Sequence, residues 1–158
     1  MRREDLLGAG RGERMAVAAF AAAFVALLAL MPVWRADDRP AGEAMTPAAF
    51  AAWESDFAAR YETGGVARPP PGDVPVLARR FTFVPALELR VGQTYRLAFS
   101  SADGVHSAAI AGREVLVVPG RVTVITLTPT RPGPLDLRCG EYCGLGHSRM
   151  RGRITVVP

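Results

Sequence analysis

The chain contains no lysine; all 19 of its basic residues are arginine. Together with its richness in alanine, this reads as a composition bias of the genome rather than a functional device. Two cysteines in 158 residues are too few for a disulfide scaffold. The net charge is only +4 and the arginines are scattered without interleaved aromatics, so a nucleic-acid partner is not expected. Histidine is as scarce as cysteine, with only His106 and His147. Apolar residues make up 49 % and charged residues 22 %, which admits one modest packed domain with an appendage.

The appendage comes first. Residues 1–14 are polar and carry Arg2, Arg3, Arg11 and Arg14. Residues 15–34, Met15 to Trp34, then run without a charge and without an amphipathic period. At about 1.5 Å per residue such a helix spans roughly 30 Å, the thickness of a bilayer's hydrocarbon core. Pro32 falls near its end, where a break costs little, and Trp34 suits the interface. Trp34-Arg35-Ala36 makes a poor cleavage site, so a retained anchor is expected rather than a signal peptide. The N-terminal arginines favour a cytoplasmic N-terminus in a bacterial plasma membrane, although Arg35 and Arg39 flank the far end.

Residues 35–74 read as an amphipathic helix and a linker. Thr46-Pro47 supplies a hydroxyl N-cap and a proline at the first helical position. Phe50, Trp53, Phe57 and Tyr61 follow on one face, read first as a packing surface and second as a docking surface for the membrane or a membrane partner. Gly64-Gly65 is expected to end the helix, and Pro69-Pro70-Pro71-Gly72 to make residues 66–74 a stiff extended linker. From residue 75 to 158 short runs rich in β-branched and aromatic residues alternate with Gly and Pro. Strands are expected near 77–84, 87–91, 94–99, 104–110, 113–118, 121–128, 134–139 and 151–157, giving an all-β sandwich or small barrel.

The chemistry concentrates between Cys139 and Met150. Cys139, Cys143, His147 and Met150 stand at offsets 0, 4, 8 and 11, and Gly140, Gly144 and Gly146 let a loop wrap a small object closely. Thiol, imidazole and thioether donors select copper or zinc over magnesium or calcium. His106, after the turn Ser101-Ala102-Asp103-Gly104, could reach the same end of the sandwich. Taken alone, the Cys-x3-Cys pair fits a disulfide about as well as a metal, His147 fits a surface imidazole and Met150 a core filler. The combination favours a metal. Zinc has no use for the thioether, and the two histidines lie 41 residues apart, unlike a zinc finger. A weak axial methionine is a copper device, and two thiolates with two imidazoles can bridge two coppers.

The pattern Cys139-x3-Cys143-x3-His147-x2-Met150, with His106 in an Asp-x-x-His turn, resembles the binuclear copper (CuA) site of cytochrome c oxidase subunit II. Tyr142-Cys143-Gly144-Leu145-Gly146-His147 and the stretch after Met150 fit as well, and the likeness covers roughly residues 76–158. It implies a mainly β, cupredoxin-like Greek-key sandwich outside the membrane, on one transmembrane helix, as in the shorter ba3-like subunits. Carried over by position, Cys139 and Cys143 would bridge both coppers. His106 would bind one with Met150 as weak axial ligand, and His147 the other, completed by the backbone carbonyl of Glu141. The Glu141 carboxylate matches a position that helps hold magnesium against subunit I.

The implied role is electron entry to a haem-copper oxidase. The chain would take single electrons from a soluble cytochrome c or cupredoxin and pass them to haem in subunit I, with a copper-insertion chaperone as a further partner. No catalytic residue is expected on this chain. The alternatives are a nitric oxide reductase subunit and, from another class, a membrane-anchored copper carrier. Ala108 replaces the aromatic usual two residues after the first histidine, and no aromatic-rich entry stretch is evident, Phe81 and Phe83 being the nearest candidates. Residues 76–158 hold eleven Arg against five Asp and Glu, so an acidic donor, or one docking through apolar contacts, is expected.

Overall fold

The computed structural model describes residues 10–34 and 42–158. Helix α1 (Arg11–Trp34) begins four residues before the charge-free run and continues through Pro32. Its segment Arg11–Ala29 is long and apolar enough to cross a membrane, and Phe20 and Val25 lie exposed on it, as lipid-facing side chains do. Arg2, Arg3, Arg35 and Arg39 and the Trp34 side chain, on which the sidedness and interface expectations rest in part, lie outside the described residues.

The described residues from Gly42 on form a separate compact unit. Its elements are β1 (Glu43–Ala44), α2 (Pro47–Tyr61), β2 (Glu62–Thr63), β3 (Val66–Ala67), β4 (Gly72–Arg79), β5 (Thr82–Val84), β6 (Leu87–Arg90), β7 (Tyr95–Ser101), β8 (His106–Ile110), β9 (Arg113–Val117), β10 (Arg121–Leu127), β11 (Gly133–Arg138) and β12 (Arg151–Val157). Hydrogen bonding follows the order β1-β10-β7-β4-β5-β12-β11-β8-β9, with β6 beside β12. One layer is β10-β7-β4 and the other β6-β12-β11-β8-β9. Short β5 links them, antiparallel to β4 and joined to β12 through the parallel pair Thr82 and Arg151.

Val74, Val76, Leu97, Phe99 and Ile125 from the first layer pack with Leu89, Ala108, Ile110, Leu137 and Ile154 from the second. Cys139 and Met150 belong to the same buried cluster, so the site rests directly on the core. Strand β7 is buried on both faces because α2 covers its outer side. Thr46 caps α2, its hydroxyl accepting the Ala49 amide at 3.2 Å, and Pro47 occupies the first turn as expected. The aromatic stripe is a packing face. Phe50 seats against Leu77, Ala98 and Val122, with Trp53 edge-on to it, while Phe57 and Tyr61 reach the main core.

Three expectations need correction. The strand placed at 77–84 is two strands, β4 and β5, folded back at Arg80-Phe81, where no Gly or Pro marks the turn. Gly64-Gly65 does not cap α2; both residues take positive φ, +64° and +78°, and form the tight turn joining β2 to β3. Residues 66–74 are not a free linker, because Ala67 pairs with Leu87, Pro69 is buried and β4 begins at Gly72. The other strands fall within about two residues of expectation, as element boundaries allow.

Candidate metal centre

The first donor is positioned by a turn. Ser101 ends β7, and its Oγ accepts the amides of Asp103 at 3.3 Å and Gly104 at 3.2 Å. This orients Asp103, whose Oδ1 lies 2.8 Å from His106 Nε2 while Oδ2 accepts the Arg80 amide at 2.8 Å. Burial acts to raise the Asp103 pKa, but the bonds from His106 and Arg80 outweigh it and hold the carboxyl below its ordinary value. The carboxylate thereby selects the Nε2–H tautomer of His106, leaving the Nδ1 lone pair free on the opposite side. His106 is fully buried, and Nδ1 lies 4.0 Å from Cys139 Sγ.

The remaining donors come from the loop between β11 and β12. The Cys139 amide donates to the Met150 carbonyl at 3.2 Å, closing the loop at its base. A turn of 3-10 helix, His147–Arg149, brings Met150 back beneath it. The two sulfurs lie 3.8 Å apart. His147 Nδ1 is 3.9 Å from Cys143 Sγ, Met150 Sδ is 3.6 Å from the same sulfur, and the Glu141 carbonyl oxygen is 3.1 Å from Cys139 Sγ. The ligating atoms of His106, Cys139 and Cys143 all lie within 4.8 Å of one another.

Both cysteines are free thiols, and a disulfide would need its sulfurs at about 2.05 Å. The spacing fits bound metal instead. Metal–thiolate bonds of about 2.3 Å and metal–imidazole bonds of about 2.0 Å put S···N separations at about 3.5 Å around a shared tetrahedral ion and longer at wider angles, a little inside the 4.0 and 3.9 Å found here. Two thiols, two imidazole Nδ1 atoms and one thioether, soft or borderline donors suited to copper, therefore lie together with one carbonyl oxygen.

Without metal, the Cys143 thiol is held in its protonated form. Burial, then hydrogen bonding and like charge from Cys139, push its pKa up to about 11 from an ordinary 9.0. The expected outcome is that iodoacetamide at pH 8 alkylates Cys143 in the folded, metal-free chain about 100-fold more slowly than after unfolding, since only thiolate reacts. Peptide mass spectrometry reads the rate, and equal rates in the two states would contradict the burial argument.

Phe81 and Phe83 part company. Phe81 lies across the loop, and a Cβ on Gly146 would strike its ring while one on Gly144 would meet it at 3.3 Å. Phe83 is a core residue, edge-on to Phe99 at 6.4 Å, and offers no surface to a donor protein. The loop's outer rim is apolar, with Leu145 97 % and Tyr142 71 % exposed beside Val105. The Glu141 carboxylate is exposed and has no hydrogen-bond partner among the described residues. The turn Ser101-Ala102-Asp103-Gly104 stands where the sequence placed it, but the sequence revealed neither the Phe81 lid nor the bonds Ser107 makes beneath the loop. Neither left a local signal, because each depends on packing between separate segments.

Residues 79–157 match the family model described as cytochrome c oxidase subunit II, periplasmic domain. Over 84 residues the chain is 37 % identical to cytochrome c oxidase subunit 2 of Thermus thermophilus, a match that takes in 51 % of this chain and 62 % of that relative. A chain from a heme-copper terminal oxidase dimer aligns with a TM-score of 0.53 at 22 % identity, covering 93 % of this chain and 100 % of that one. Reduced rusticyanin aligns with a TM-score of 0.56 at 19 % identity, covering 74 % and 100 %. At these identities the two structures show the fold, a cupredoxin-like sandwich, and nothing further.

Proposed function

The chain belongs to the cytochrome c oxidase subunit II family, and from that premise we propose that it is the electron-entry subunit of a membrane haem-copper oxidase. The observation that carries this is the convergence of four further donors on two thiols 3.8 Å apart. Copper held there would take up and release single electrons. Cys139 and Cys143 would supply thiolates to the coppers, His106 and Met150 would serve one ion, and His147 and the Glu141 carbonyl the other. Asp103 fixes the His106 ring, and the core beneath Cys139 and Met150 keeps the donors from moving as charge changes. Phe81, lying against Gly144 and Gly146, shields that side of the loop from water. The copper domain lies outside the membrane with the N-terminus of α1 inside, and electrons pass on to haem in subunit I. The free Glu141 carboxylate is available to a magnesium ion at that contact. Whether oxygen or nitric oxide is finally reduced is set by the partner.

The test is copper content and electron paramagnetic resonance of the full chain in detergent, reduced and then loaded. Two coppers per chain sharing one unpaired electron are expected. A single copper per chain would favour the carrier reading instead. The donor is expected to be acidic with an apolar centre, because Arg80 lines the same cleft as Val105 and Tyr142 and residues 76–158 carry eleven Arg against five Asp and Glu. In the assembled complex at low salt, electron transfer from an acidic donor should exceed that from a strongly basic cytochrome by about 10-fold or more, and added salt should shrink the difference. Indifference to donor charge would sink this part of the reading.

A further inference from the structure

Strand β8 grips the loop from both faces. His106, Ala108 and Ile110 point to the core side, and Ser107 points to the other. In the register of β8 with β11, Arg138 pairs with Ala109; continuing it sets Gly140 opposite Ser107. There the Gly140 amide donates to Ser107 Oγ at 2.8 Å, and Ser107 donates its own proton to Glu114 Oε1 at 2.6 Å. Ser107 is only 3 % exposed. A serine hydroxyl has one proton and two lone pairs. Once Glu114 takes the proton, in a short charge-assisted bond, the lone pairs are left for the amide. Gly140 fits this arrangement closely, since a Cβ there would strike Glu114 Oε1 and approach Ser107 Oγ at 3.1 Å.

We infer that Glu114, reaching across from β9, is a positioning residue for the metal centre, acting through Ser107 on the peptide between Cys139 and Glu141. That peptide lies between the Cys139 thiolate and the Glu141 carbonyl, so one clamp sets two donors. His106 faces Cys139 Sγ from one side of β8 while Ser107 holds Gly140 from the other. The assignment rests on the copper reading above for its consequence, but the clamp itself is a property of the protein.

The test compares Ser107→Ala, Glu114→Ala and Glu114→Gln in the full chain in detergent. In the metal-free protein, hydrogen exchange of the segment 137–143 should speed up in both alanine variants. In the loaded protein, copper transfer to a chelator should be about 10- to 100-fold faster in each, the range for residues that orient metal ligands. The double alanine variant should be no worse than Ser107→Ala alone, because Glu114 acts through that hydroxyl. Glu114→Gln, which keeps an acceptor oxygen, should restore the exchange rate and the position of the visible absorption band.

Wild-type exchange in Glu114→Ala, additive losses in the double variant, or no rescue by glutamine would each overturn the assignment. A second cycle guards against misfolding. Gly140→Ala alone should lower the melting temperature, and Glu114→Ala in the same chain should recover most of the loss. Failure to recover would count against the matched fit of Gly140 and Glu114. If wild type binds no copper, the functional reading fails while the exchange arm still judges the clamp.

Discussion

Cys139→Ser is expected to abolish the paired copper centre, taking copper from two ions per chain to at most one and erasing the shared-electron resonance signal. Serine is nearly isosteric, but its hydroxyl is a hard donor that does not ionise near neutral pH, so it cannot bridge two soft ions as a thiolate does. Cys143→Ser should do the same, since both sulfurs sit 3.8 Å apart in one cluster. The metal-free fold should hardly notice, with a stability change of about 1 kcal/mol or less, because neither thiol bears structural strain or a disulfide. Copper analysis, resonance spectra and thermal melts of the metal-free variants separate the two effects. A serine variant that kept both coppers would rule out bridging by that sulfur.

Phe50→Ala should produce the opposite pattern, a large loss of stability with the metal site intact. Phe50 is wholly buried among Leu77, Ala98 and Val122, and its ring meets Trp53 edge-on at 5.4 Å. Truncating a buried phenylalanine costs about 3–5 kcal/mol, a large share of the roughly 5–15 kcal/mol that holds a domain folded. The loss falls on the seam between α2 and the β10-β7-β4 layer. The donors belong to the other buried cluster, with Cys139 and Met150, so the copper spectrum of the folded fraction should match wild type. Urea unfolding followed by tyrosine and tryptophan fluorescence measures the first, and absorption the second. A loss under about 1 kcal/mol would mean that α2 is not structurally coupled to the sandwich.

The donor set was legible because its chemistry is local and its residue types are rare. With two cysteines and two histidines in the whole chain, the spacing of four side chains was enough to point to metal, and the resemblance supplied the pairing. The aromatic stripe of α2 was legible for the same reason, since period and cap both lie within fifteen residues. What escaped depended on contacts between distant segments. Arg80-Phe81 carries no glycine or proline, so the turn between β4 and β5 left no mark, and Phe81 could not be seen to close over Gly144 and Gly146. Ser107, Glu114 and Gly140 are ordinary residues, brought together by the β8–β9 hairpin and the β11 register. Pro69-Pro70-Pro71 looked like a spacer because nothing in those residues reveals that Ala67 and Gly72 on either side are pinned to β6 and β7.

The bond from the Cys139 amide to the Met150 carbonyl has a thermodynamic consequence for metal uptake. Bringing together the ends of a free twelve-residue segment costs about 2 kcal/mol in chain entropy, from (3/2)RT ln n. Here β11 and β12 have met that cost during folding, before any ion arrives, and Arg138 paired with Arg151 continues the closure into the sheet. Copper therefore enters a ring that is already shut, and little of its affinity goes into ordering the chain. The loop is a cassette on a strand pair, and the one further donor side chain, His106, comes from the neighbouring strand β8.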